Sequence, residues 1–358
     1  MKIQSLSIAA FAALLFAGSF IGSTAEAAVH EHSAAVQEID IRDMADVHIG
    51  HAQDEQAKTG VTALVFPKGA MAGVDISGGG PASRETPVLS PTTNPTPLNA
   101  LLLSGGSAYG LAASDGAMKY LEEHGIGFDT GFALVPIVCQ SDIYDLSYGS
   151  NKVRPDAQMG YAACEAAMQG GDVLQGNVGA GTGATVGKIY GMEQGDKSGL
   201  GIYAVRMGEV RIAAVVAVNA LGDVYDSESG KKLAGLKNKE RTEFLDTSLE
   251  MYAAAAKAED KRMNTTIGAI ITNADFDKAQ LTKIASLARN GYARSIRPVG
   301  TLADGDTIYA VSTGKVQADL NTIGTLAADV MCEAIKRAVL AARISDDEYL
   351  ANCRKPGE

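Results

Sequence analysis

The residues best equipped for chemistry in this chain stand where a charged run meets an apolar one, at Met263-Asn264-Thr265-Thr266-Ile267-Gly268. Glu250 to Arg262 is charged and helix-like, and the apolar run that follows is of strand type, so a threonine hydroxyl stands at the mouth of a buried strand. Attack by Thr265 on the carbonyl of Asn264 would break the chain and release an N-terminal threonine that uses its own amine as base. An α-amino group titrates near ~7.7 and a lysine near ~10.4, so at neutral pH the terminal amine supplies far more free base. The same residues also read as a plain helix-loop-strand connection, with Asn264 in a turn and the β-branched Thr265 opening a strand.

Such a bond needs helpers from elsewhere. Asp304-Gly305-Asp306 precedes an apolar run. Two carboxylates beside a glycine make a solvated turn or, facing Thr265, hold its hydroxyl and amine in reacting geometry. Asn219 ends the apolar run that begins at Val210. A buried amide there caps a turn or aims a donor at a developing oxyanion. Lys188 closes the glycine-dense stretch from Gly176 and suits a positive hydrogen-bond donor better than a base.

Other motifs lack parts. In Ser104-Gly105-Gly106-Ser107-Ala108-Tyr109-Gly110 the esterase pattern G-x-S-x-G fails at Tyr109. Gly179, Gly181 and Ala184 fit G-x-G-x-x-A without the strand and helix a dinucleotide needs, and Thr182 and Ile189 break a Walker A loop. Five histidines are present, and His48-x-x-His51 would need further ligands to hold a metal. No C-x-x-C occurs. No cofactor and no metal are expected.

The elements that must position these residues form a mixed α/β pattern. Strands are predicted over Ile39–Ile49, Val61–Phe66, Phe132–Val138 and Thr307–Val311, with a hairpin of Gly201–Val205 and Val210–Asn219 across Met207-Gly208-Glu209. Helices are predicted from the Ser104–Gly110 loop to about His124, and over Ala157–Met168, Asp275–Asn290 and Leu320–Arg343.

The 358 residues carry a net charge of −11 with a pI near 5.0, which offers no general footprint for nucleic acid or an anionic membrane. Residues 1–27 have one lysine, an apolar run from Ile8 to Ile21 and Ala25-Glu26-Ala27, the layout of a cleavable secretory signal. A mature chain starting at Ala28, periplasmic or secreted and free of the membrane, is expected. Export would permit disulfides among Cys139, Cys164, Cys332 and Cys353, and three pairings stay open.

Asn99 with Leu101–Leu111, Gly176–Lys188, Asn264-Thr-Thr-Ile-Gly268, and Arg297-Pro with Asp304-Gly-Asp306 resemble the L-aminopeptidase/D-esterase (β-aminopeptidase) family. The pattern is most similar to its nylon-oligomer (6-aminohexanoate oligomer) hydrolase branch, and the likeness runs from about Ile41 to Val316. The resemblance implies a four-layer α/β/β/α precursor of the self-cleaving N-terminal-nucleophile type. Its one catalytic domain would be cut into a large piece, 28–264, and a small piece, 265–358, assembling into a homo-oligomer of processed pairs. It implies Asn264-Thr265 as the autocleavage bond, Thr265 as nucleophile, and Lys188, Asn219, Asp304 and Asp306 as supporting residues. Tyr144 falls near a tyrosine that assists the oxyanion or a proton transfer, and Asp142 is the candidate counterpart of the acidic residue that binds a substrate's free amine. The expected substrate is a small peptide or amide. An acyltransferase on the same fold, or a non-catalytic secreted binding protein, is the alternative.

Overall fold

A computed structural model describes residues 36–254 and 264–355; the expected signal segment 1–27 lies outside them. Ten strands carry the architecture: β1 (Val36–Glu38), β2 (His48–Asp54), β3 (Thr59–Ile76), β4 (Ala82–Arg84), β5 (Leu98–Ser104), β6 (Val138–Asp142), β7 (Leu200–Met207), β8 (Val210–Asn219), β9 (Thr265–Ala274) and β10 (Thr307–Val316). The helices are α1 (Ala113–Glu123), α2 (Ala157–Gln169), α3 (Thr247–Ala254), α4 (Lys278–Ser295), α5 (Leu320–Ala341) and α6 (Asp346–Asn352).

The strand order is β1-β7-β8-β9-β10-β3-β5-β6-β4, with β2 also on β3. The long β3 belongs to both halves. Residues 59–65 pair with β2 and β5, residues 71–76 pair with β10, and the register shifts between Val65 and Ala70, where Gly69 takes φ +74°. Folding over at this kink stacks the two halves face to face. Leu64, Leu101 and Leu103 of one half pack against Val215, Ile267, Ile271 and Tyr309 of the other. Outside this double sheet, α4 and α5 cover Val216, Ile270 and Ile308, while α1 and α2 cover Val61, Ala63 and Leu102. The result is the expected four-layer α/β/β/α sandwich.

Strand β9 is buried on both faces, which is why its centre, Ile267–Ile271, is an unbroken apolar run rather than an alternating one. Each of its fully buried isoleucines contributes on the order of 1.5–3 kcal/mol relative to exposure. Side chains alternate along a strand. Because Ile267, Ala269 and Ile271 point between the sheets, Thr265 points there too; the same parity takes Ala213, Val215 and Ala217 to Asn219. The two strands are antiparallel and in register, with Asn219 opposite Thr265. Helix α4 crosses over to bring β10 parallel to β9, and it starts at a capping box between Asp277 and Gln280.

Two expectations change. Ile39–Ile49 is not one strand: Ile39 still bonds Ala204 at the end of β1, Asp40 caps a 3₁₀ turn over Ile41–Asp43, and strand pairing resumes at His48. The strand expected over Phe132–Val138 is there only in part: Leu134–Val135 pairs back on Phe128–Asp129 across the Thr130–Ala133 turn, Pro136 interrupts the chain, and the strand of the main sheet is Val138–Asp142.

Candidate active site

Thr265 and its partners are withdrawn from solvent: Asn219, Lys188, Asn264, Thr265, Asp304 and Asp306 each expose no more than 4% of their surface. The Thr265 hydroxyl donates to the carbonyl oxygen of Asn264, the residue whose carbonyl carbon it would attack. That oxygen also accepts the Gly305 N–H at 2.8 Å, and the Asn264 N–H donates to the Ala303 carbonyl at 2.8 Å. Asn264 and Asp304 thereby form a parallel bridge.

The acidic pair is a scaffold of charge-assisted bonds rather than a solvated turn. Asp304 accepts from the Thr301 hydroxyl at 2.6 Å, the Thr301 N–H at 3.1 Å and the Leu221 N–H at 3.3 Å. Asp306 accepts from the Thr266 N–H at 2.7 Å and the Gly300 N–H at 2.8 Å, which ties the residue after Thr265 to the loop that carries both carboxylates. The Ser77–Gly80 segment lies on this loop, with Gly78 N–H on the Asp306 carbonyl and Gly80 N–H on the Asp304 carbonyl. A Cβ on Gly78 would stand 2.2 Å from the Asp306 nitrogen. Burial raises both carboxyls above their ordinary values, and the Asp304 charge pushes Asp306 further the same way.

Lys188 reaches Asn219 from the glycine-dense stretch. Gly187 takes φ +70° with its α-carbon against Gly235 and Leu236, a turn open to no larger residue. The Lys188 ammonium then donates to the Asn219 side-chain oxygen at 2.8 Å and to its main-chain oxygen at 3.1 Å. Burial pulls Lys188 down to about 7, opposed by the charges of Asp304 and Asp145. The Asn219 side-chain oxygen also accepts the Thr185 N–H at 3.0 Å, and its NH₂ donates to the Tyr144 carbonyl at 2.9 Å. One amide hydrogen thus fixes the rotamer, and the other meets no acceptor among the described residues, so it is available to a ligand.

Tyr144 joins the cluster through its backbone, and among the described residues its half-buried phenol has no hydrogen-bond partner. Asp142 is not brought to the Thr265 cluster. On β6, Val138, Gln140 and Asp142 share the face turned to α1, where Gln140 bonds both Asp142, at 2.7 Å, and the Ser114 N–H, at 3.0 Å. Among the described residues the Asp142 Oδ2 is buried without a partner, and burial holds the carboxyl well above its usual range.

Asp145 is the residue that sequence reasoning passed over. It accepts from the Thr59 hydroxyl and the Gly106 N–H, both at 2.7 Å, and its charge acts on Lys188. Burial lifts it to about 6, with those two donors working the other way. A Cβ on Gly105 would stand 2.0 Å from its carboxylate, so the Ser104–Gly110 loop is an anion cradle for Asp145 and not a serine elbow. Only tertiary contact reveals that role.

His48 and His51, three apart on β2, point to opposite faces, and His51 meets Thr62 at 3.1 Å. Among the described residues no three His, Cys, Asp or Glu side chains are grouped to hold a metal ion, and no helix is long and apolar enough to cross a membrane. All four cysteines are free thiols.

The four layers are those of the N-terminal-nucleophile (Ntn) hydrolase fold. Solved structures agree at the level of fold. The β-aminopeptidase of a Burkholderia species superposes with a TM-score of 0.59 at 20% identity, covering 84% of this chain and 85% of that one. The L-aminopeptidase D-Ala-esterase/amidase of Ochrobactrum anthropi, described as a variant of the Ntn hydrolase fold, gives 0.60 at 19% identity over 85% of this chain and 86% of that one. In sequence, an uncharacterized aminopeptidase of Mycobacterium leprae is 36% identical over 340 residues, 84% of this chain and 90% of the relative. A 6-aminohexanoate-oligomer endohydrolase of a Kocuria species is 32% identical over 315 residues, 83% of this chain and 84% of the relative. Residues 40–348 match the profile of Peptidase family S58. The chain belongs to that family and is a hydrolase of the aminopeptidase/amidase type.

Proposed function

We propose that this chain is an exported amide hydrolase that activates itself by cutting Asn264–Thr265 and then works through an acyl-enzyme on Thr265. One observation supports this most: the Thr265 hydroxyl lies on the carbonyl of Asn264, and a main-chain donor, Gly305 N–H, lies on the same oxygen. In the cut, Thr265 Oγ bonds to the Asn264 carbonyl carbon, the C–N bond breaks, and the hydroxyl proton ends on the released amine. Water then hydrolyses the ester, leaving a carboxylate on Asn264 and a free amine and hydroxyl on Thr265.

In turnover the Thr265 amine takes the hydroxyl proton and hands it to the leaving amine. Asn219 supplies its second amide hydrogen to the tetrahedral oxyanion, with Lys188 polarising that amide from behind. Asp304 and Asp306 hold the loop and the first residues of β9 in place. The processed large and small pieces stay paired and assemble into a homo-oligomer acting on small peptides or amides in the periplasm or outside the cell.

The test is hydrolysis of L-alanine p-nitroanilide by the purified protein and by Thr265→Ala, each run on a denaturing gel. The reading expects two pieces and turnover from the first, one intact chain and a rate lower by on the order of 10³-fold or more from the second. A T265A protein that is cut and active would overturn it.

A further inference from the structure

The acyl side of the proposed cut is already docked on main chain. Asn264 gives its N–H to Ala303 and receives the Gly305 N–H on its carbonyl oxygen, each at 2.8 Å. Three residues on, β9 pairs with β10 from Ile267 opposite Thr307. The Asn264 bridge therefore extends the same parallel ladder across the reacting bond. Gly305 is pressed against this place: a Cβ there would stand 2.6 Å from the Gly80 carbonyl and 2.8 Å from Thr265 Oγ. Close backbone packing keeps its N–H on the reacting carbonyl.

Resting on the acyl-enzyme reading, we infer that the Ala303 carbonyl and the Gly305 N–H are also the acyl subsite in turnover, and that this strip selects α-aminoacyl groups. Both reactions place an acyl carbon on the same oxygen. In the cut it is the carbon of Asn264; in turnover it is the substrate's carbonyl carbon, bonded as its C–N bond breaks and the leaving amine takes the proton. A group that satisfies both main-chain partners carries a nitrogen donor one carbon from its carbonyl, as an α-amino acid does. A β-aminoacyl group puts its nitrogen one carbon further out, and a 6-aminohexanoyl group several.

A carbonyl acceptor does not require a charged donor. Ala303 takes an ammonium or an amide N–H alike, so capping the α-nitrogen is tolerated, whereas recognition by a carboxylate would demand the free amine.

The processed protein is assayed with p-nitroanilides that share one leaving group: L-alanyl, N-acetyl-L-alanyl, propanoyl, β-alanyl and 6-aminohexanoyl. The subsite predicts the two alanyl compounds within about fivefold of each other in kcat/KM, and each of the rest lower by at least about tenfold, because the Ala303 acceptor is left unpaired. Equal or better turnover of the propanoyl, β-alanyl or 6-aminohexanoyl compound, or loss of activity on acetylation, overturns the subsite alone. No hydrolysis of any compound overturns the amide-hydrolase reading and the subsite with it.

Discussion

Asn219 and Thr265 stand directly opposite each other on β8 and β9, one on each side of the proposed cut. Their side chains share the space between the two sheets, so the proposed donor and nucleophile are set by strand register rather than by a loop. The ladder from Ile212 opposite Thr272 down to this pair would hold the two pieces of a cut chain together without the peptide bond.

The Lys188–Asn219 contact makes those residues one unit. Asn219→Ala is expected to lower kcat by about 10²–10³-fold with little change in KM, as for loss of an oxyanion donor. Lys188→Met is expected to lower it through the same amide, so the double variant should be no worse than the poorer single one. Steady-state kinetics on the four proteins checks this; additive losses would separate the two roles.

Asp145 makes the fold's pH response measurable. Its carboxyl titrates at about 6 in the folded chain against an ordinary 3.8, so between these values the folded state keeps a proton the unfolded state has lost. The contribution is therefore full below about pH 4 and lost as pH rises through 6. Relative to Asp145→Asn, the wild type should lose on the order of 3 kcal/mol between pH 4 and pH 7. Urea midpoints at the two values read the difference.

Tyr144→Phe leaves the carbonyl that accepts from Asn219 in place. Cleavage should stay within about threefold of wild type, a margin of well under 1 kcal/mol, followed by gel densitometry over time. Slower cutting by a larger factor would assign the phenol a part in the cut.

Gly305→Ala has no room for its methyl, which would push the loop away from Thr265 Oγ and Gly80. Misplacement by about 1 Å costs on the order of 10²-fold, so cleavage should slow by about that much while circular dichroism stays unchanged.

Much of this was legible from residue order. The hairpin ending in Asn219, the helix over Ala157–Gln169 and the crossover helix α4 follow from apolar periodicity and caps, and the buried β9 from its unbroken apolar run. The four layers came through resemblance, since no local pattern says that β3 kinks and serves both sheets. Asp145 was hidden because Ile143-Tyr144-Asp145-Leu146 carries no motif of its own; its donors, Thr59 and Gly106, are 86 and 39 residues away. The facing of Asp142 is a matter of strand parity, which becomes fixed only once the strand is known to run from Val138 on to Asp142 rather than to end at Val138.

The central claim is most directly tested by N-terminal sequencing and intact mass of the purified protein under denaturing conditions. The account predicts a piece spanning residues 265–358 that begins with Thr265, and a larger one that begins at Ala28 and ends at Asn264. A single uncut polypeptide that hydrolyses amides would contradict it, since Thr265 would then have no free amine to take its proton.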